Sequence, residues 1–74
     1  MTAELELFEV RVLRALRSGP LYVGALELVA GADVLPALRR LAALALVGHV
    51  GEGTWRITDA GELELERRRA EAPA

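Results

Sequence analysis

The stretch 34–58, VLPALRRLAALALVGHVGEGTWRIT, limits the fold more than any other part of this 74-residue chain. Its first half repeats apolar residues at helical spacing. Leu38, Leu41 and Ala45 continue one buried face and leave Arg39 and Arg40 outside. Pro36 falls in the first turn, where its missing N–H costs little, and Asp33 is a suitable N-cap. The spacing predicts a helix over 34–45. The second half reads as a hairpin over 47–58, with strands at 47–50 and 55–58. Gly51-Glu52-Gly53-Thr54 between them supplies the positive φ values that tight hairpin loops demand. With Ile57 inward, alternation puts Trp55 on the same face and Arg56 on the other.

The flanking segments read as helices. Over 4–17, Leu5, Phe8, Val12 and Leu16 recur at spacings of three and four, one buried stripe. Glu4, Glu6 and Glu9 come early and Arg11, Arg14 and Arg17 late, an order that complements the helix dipole. Ser18-Gly19-Pro20 stops this helix, and Leu21-Tyr22 offers a very short strand. A second helix over 23–30 turns Leu26, Val29 and Ala30 inward and ends at Gly31, which is suited to a left-handed cap. A last helix over 59–70 starts either from Thr58 as cap or from an Asp59/Glu62 capping box. Leu63 is its expected anchor, Arg67 to Arg69 suit its C-terminal charge, and Ala70 to Ala74 should fray.

Motifs in these segments resemble known families. Pro36-Ala37-Leu38, followed by Leu41 and by Leu46-Val47, resembles the recognition-helix signature of PadR-like regulators. Trp55-Arg56-Ile57-Thr58-Asp59-Ala60-Gly61 is similar to the motif that ends the wing in PadR-like and MarR-like proteins. Gly19-Pro20-Leu21 is similar to the turn that leaves their first helix, after which a short strand pairs with the wing. The resemblance implies a single α+β domain, a winged helix-turn-helix, mainly α with a small antiparallel wing hairpin, in the order α-β-α-α-β-β-α. It also implies a minimal form, since the long C-terminal dimerisation region of PadR-like regulators is not in this sequence. Two positions depart from the pattern. Val34-Leu35 is apolar where DNA readers of this class carry Ser, Thr or Tyr, and Ala45 stands where the family has Gly.

Composition narrows the function classes. A chain this short buries only about 60% of its unfolded surface, so it needs a dense apolar core. Its 53% hydrophobic content meets that need with one Trp, one Tyr and one Phe. There is one His, His49, and no Cys, which leaves no thiolate metal site. His49 and Ser18 lack an orienting third group, and the carboxylates at 4/6 and 62/64 are spaced two apart, so they face different ways on helices. We therefore expect neither an enzyme nor a metal or cofactor site. The acidic start lacks the basic region of a secretory signal, and no apolar run nears the roughly 20 residues of a membrane span. A soluble cytoplasmic domain is the expectation.

The resemblance implies a sequence-specific DNA-binding transcriptional regulator, with the third helix in the major groove and the wing beside it. Arg39 and Arg40 match the basic pair after Pro-Ala-Leu, and Arg56 matches the exposed residue between the wing aromatic and its Leu or Ile. His49 and Thr54 complete the expected DNA-binding set. Double-stranded DNA is the expected partner and a homodimer the expected form, built on Leu7, Val10 and Leu65 of the first and last helices. The net charge of −2 runs against a strongly basic DNA surface. The apolar start of the third helix keeps open an alternative, a protein–protein interaction module that docks through that helix without binding nucleic acid.

Overall fold

The computed structural model describes residues 4–71 as one α+β domain. Its described elements run α1 (Leu7–Ala15), β1 (Leu21–Tyr22), α2 (Val23–Ala30), α3 (Leu35–Ala43), β2 (Val47–Gly51), β3 (Thr54–Ile57) and α4 (Asp59–Glu71). A 3₁₀ turn, Leu16–Ser18, closes α1. The order is the one the sequence predicts.

Helix α1 is the hub, packing on α2, α3 and α4. It starts at Leu7 rather than residue 4, because the Glu9 carboxylate accepts the Glu6 N–H at 2.8 Å and fixes the first turn there. Contact with three helices buries a wide arc: Val10, Val12, Leu13 and Leu16 are core, while Leu5 and Phe8 of the expected stripe are only partly covered. Gly19 ends the segment at φ 141, a region open only to glycine. In α2, Leu26 is fully buried and Gly31 caps in the left-handed region at φ 75, donating to the Glu27 carbonyl at 2.8 Å. Val29, expected inward, is exposed. Leu26 and Ala30 lie one turn apart on the side facing α1, and Val29 sits about 80° off that line.

The N-cap of α3 is Val34 rather than the expected Asp33, which sits one residue earlier and accepts the Leu35 N–H at 3.1 Å, and Ala37, Leu38 and Leu41 form the inner face. The helix stops at Ala43, two residues short of expectation. Ala45 does not extend the buried face: it is exposed and left-handed, with φ 61. Its N–H donates to Ala42 O and that of Leu46 donates to Leu41 O, both at 2.9 Å. This pair of bonds is a Schellman ending with alanine where glycine is usual.

The sheet is antiparallel in the order β1-β3-β2. Val47, Gly48 and His49 stand opposite Ile57, Arg56 and Trp55, and an irregularity at Val50 lets Gly51 face Thr54. Both strands thus meet at a two-residue loop, Glu52-Gly53, tighter than the four-residue turn expected. Gly53 takes φ 71, and a Cβ there would lie 2.9 Å from the Tyr22 ring. The Val23 N–H also donates to Gly53 O at 2.9 Å, so the hairpin tip is tied to the start of α2.

Thr58 joins the hairpin to α4. Its hydroxyl donates to Ala45 O at 2.7 Å and accepts the Gly61 N–H at 3.1 Å, while its own N–H donates to Leu46 O at 3.0 Å. Thr58 is therefore the cap, and the Asp59/Glu62 box is not used. A Cβ on Gly61 would lie within 2.3 Å of Leu46 O, so only glycine allows α4 to start this close. Gly61 and Leu65, one turn apart, form the inner face. The anchor is consequently Leu65, and Leu63, expected in that role, is 70% exposed. Val10 and Leu65 are buried too, so of the residues expected to join two copies only Leu7 is on the surface. Ala70 and Glu71 are still helical, and the rest of the segment expected to fray, 72–74, lies outside the described residues. Among the described residues no helix is long and apolar enough to cross a membrane.

Candidate nucleic-acid interface

The five residues expected to contact DNA sit on α3 and the hairpin, but the structure treats them differently. The outward face of α3 comprises Leu35, Pro36, Arg39, Ala42 and Ala43. With Ala37, Leu38 and Leu41 inside, the 100° step per residue puts Arg39 near the middle of that face. Among the described residues Arg39 makes no ion pair and no side-chain hydrogen bond. It is the one charged side chain on an otherwise apolar strip.

Arg40, its neighbour, turns back onto α1. Its guanidinium lies 3.2 Å from one Glu9 carboxylate oxygen and donates to the other at 3.3 Å and to the Glu4 carbonyl at 2.6 Å. The Glu9 side chain is 7% exposed and the Arg40 side chain 43%. A buried carboxylate without a partner costs several kcal/mol, on the order of 3–5 for a broken buried pair. Arg40 therefore neutralises Glu9 and staples α3 to α1. Sequence reasoning missed this role because the partners are 31 positions apart, and the only signal was a run of acids opening α1. Glu6, Glu9, Asp33 and Arg40 line the cleft between the starts of α1 and α3, so the surroundings of the α3 N-terminus are not basic.

On the hairpin, the pleat divides the remaining residues. Arg56, opposite Gly48, and Thr54, two residues before it, share the outer face. Arg56 is exposed, and its guanidinium reaches the neighbouring Ile57 carbonyl at 3.4 Å. Thr54 is half-buried between Tyr22 and Gly51 in the sheet. His49 belongs to the opposite face: its ring lies 3.8 Å from the Trp55 ring, tilted by 48°, with Trp55 in the core. His49 and Arg56 thus do not share a surface. Arg39, Arg40 and Arg56 form no continuous basic strip either, since Arg40 belongs to the α1 contact. Arg67 and Arg68 both hold Glu64, and Arg17 holds Glu66 at 3.1 Å. Among the described residues no group of three or more His, Cys, Asp or Glu is arranged to hold a metal ion. In comparisons with known proteins, the chain matches no family model, no curated protein and no solved structure.

Proposed function

We propose that this domain is a winged helix-turn-helix that binds double-stranded DNA, with α3 entering the major groove and the β2–β3 hairpin lying along the adjacent backbone. The reading rests on Arg39, an unpaired guanidinium in the middle of the outward face of α3. A guanidinium so presented suits bidentate contact with guanine or phosphate. Arg56 supplies a second cation on the outer face of the hairpin, and Thr54 a hydroxyl beside it. Arg40 contributes through position, by fixing α3 against α1, and His49 through the sheet, by stacking on Trp55. With one free cation on α3 and one on the hairpin, the complex depends on few phosphate contacts and discriminates weakly between sequences. A role in transcriptional regulation from the cytoplasm follows from this reading and from the PadR-like motifs. Titrating ¹⁵N-labelled protein with a short duplex tests it: amide shifts concentrated at 35–43 and 52–56 support the complex, and an unchanged spectrum refutes it.

One observation favours a second reading. Leu35, Pro36, Ala42 and Ala43 surround Arg39 with apolar surface, and Pro36 offers no N–H to a phosphate. That strip suits a protein surface carrying one carboxylate to meet Arg39. In that case the duplex leaves the spectrum unchanged, and Leu35→Ser, rather than Arg39→Ala alone, abolishes partner binding.

A further inference from the structure

The least expected surface lies away from α3. Helix α2 has a single charged residue, Glu27, and leaves large apolar side chains uncovered: Leu26 fills the core, while Leu28 and Val29 stand 85% and 68% exposed. Beside it, Arg11, Arg14, Ala15, Val29 and Ala30 line a groove between α1 and α2. Among the described residues Arg11 and Arg14 have no ion-pair partner. This groove has an apolar floor and a basic rim.

The other flank of α1 carries the reverse combination. Arg17 pairs with Glu66 and brings α4 alongside, and Arg17, Asp59, Glu62, Leu63 and Glu66 line a second groove. Here the exposed apolar side chain is Leu63, and its rim is acidic. Asp59 and Glu62 have no ion-pair partner among the described residues. Between the two grooves runs the outward ridge of α1, Leu7, Arg11 and Arg14, at spacings of four and three.

We propose that this face is a self-complementary interface occupied by a second copy of the chain. A two-fold axis along the α1 ridge exchanges its flanks. The acidic edge around Leu63 of each copy then meets the Arg11–Arg14 groove of the other, twice per dimer, in a closed isologous contact. Charge complementarity selects this occupant, because each flank presents what the opposite flank lacks. The surface excludes Arg39 and Arg56, so it stands whether or not α3 meets DNA.

Sedimentation velocity on the full chain tests the proposal. The expected species is twice the 8.0 kDa chain mass. Arg14→Glu and Glu62→Arg, each alone, should give monomers with unchanged far-ultraviolet circular dichroism. Mixed in equal amounts, the two variants should recover a dimer, since both contacts of the mixed pair then join opposite charges. A wild-type chain that stays monomeric up to about 1 mM, a limit for weak specific association, overturns the proposal. So do single variants that remain dimeric, and a mixture that does not associate. If either charge variant loses its helical signal, Leu63→Ser carries the test, and a dimer that survives it overturns the proposal.

Discussion

Replacing Ala45 by glycine should stabilise the domain, whereas the same replacement at Ala42 should destabilise it. Ala45 is exposed and holds φ 61 at the end of α3, so its methyl group contributes little packing and opposes the backbone. The left-handed conformation costs a residue with a Cβ roughly 1–2 kcal/mol. Glycine removes that cost but adds freedom to the unfolded chain, worth about 0.4–1 kcal/mol in the other direction. The net gain is about 1 kcal/mol, which for a domain of this size raises the Tm by about 4–8 °C. Ala42 is equally exposed but lies in the last turn of α3, and glycine there loses up to about 1 kcal/mol of helix propensity. Thermal unfolding followed by far-ultraviolet circular dichroism compares the two variants directly. If Ala45→Gly leaves the Tm unchanged or lowers it, the left-handed junction between α3 and β2 is not what ends the helix.

Further outcomes follow from the same structure. Gly61→Ala should cost about 1–3 kcal/mol, because its methyl meets the Leu46 carbonyl and neither backbone can easily withdraw; urea denaturation reads the loss. The hydrogen bond from Arg67, opposed by partial burial and reinforced by the charges of Arg67 and Arg68, lowers the Glu64 pKa. A depressed carboxylate stabilises the fold above its unfolded pKa, and that contribution disappears as pH falls through the folded value. Stability should therefore decline below the ordinary carboxylate range, and Glu64→Gln should flatten part of that decline in a pH series of urea midpoints. Glu9→Gln should weaken the hold on Arg40, lowering stability while strengthening duplex binding, because the freed guanidinium becomes one more phosphate contact.

Much of the fold was legible in the sequence because local signals and tertiary packing agree there. Gly31, Pro36 and Thr58 mark helix ends by their own chemistry, and each does so in the structure. Alternation placed Trp55 and Arg56 on opposite faces of β3. The errors arose where burial depends on which neighbour an element meets. Of the residues expected inward in α2, Leu26 is buried and Val29 is not, and in α4 the anchor is Leu65 rather than Leu63. Ala45 fits the helical period, yet the chain must turn left-handed there to enter β2. The candidate residues can be named from the sequence, but their surroundings cannot. Whether Arg40 is available is decided by Glu9, far away in the chain, and whether His49 and Arg56 act together is decided by the sheet register.

In the proposed complex Arg39 and Arg56 carry duplex binding. Fluorescence anisotropy of a labelled duplex, titrated with protein across a salt series, measures it most directly. Two phosphate contacts predict that log K falls with log salt at a slope of about −2, and that each of Arg39→Ala and Arg56→Ala reduces the slope by about one. No binding at about 50 mM salt, where phosphate contacts are strong, contradicts the claim, as does a slope that neither variant changes.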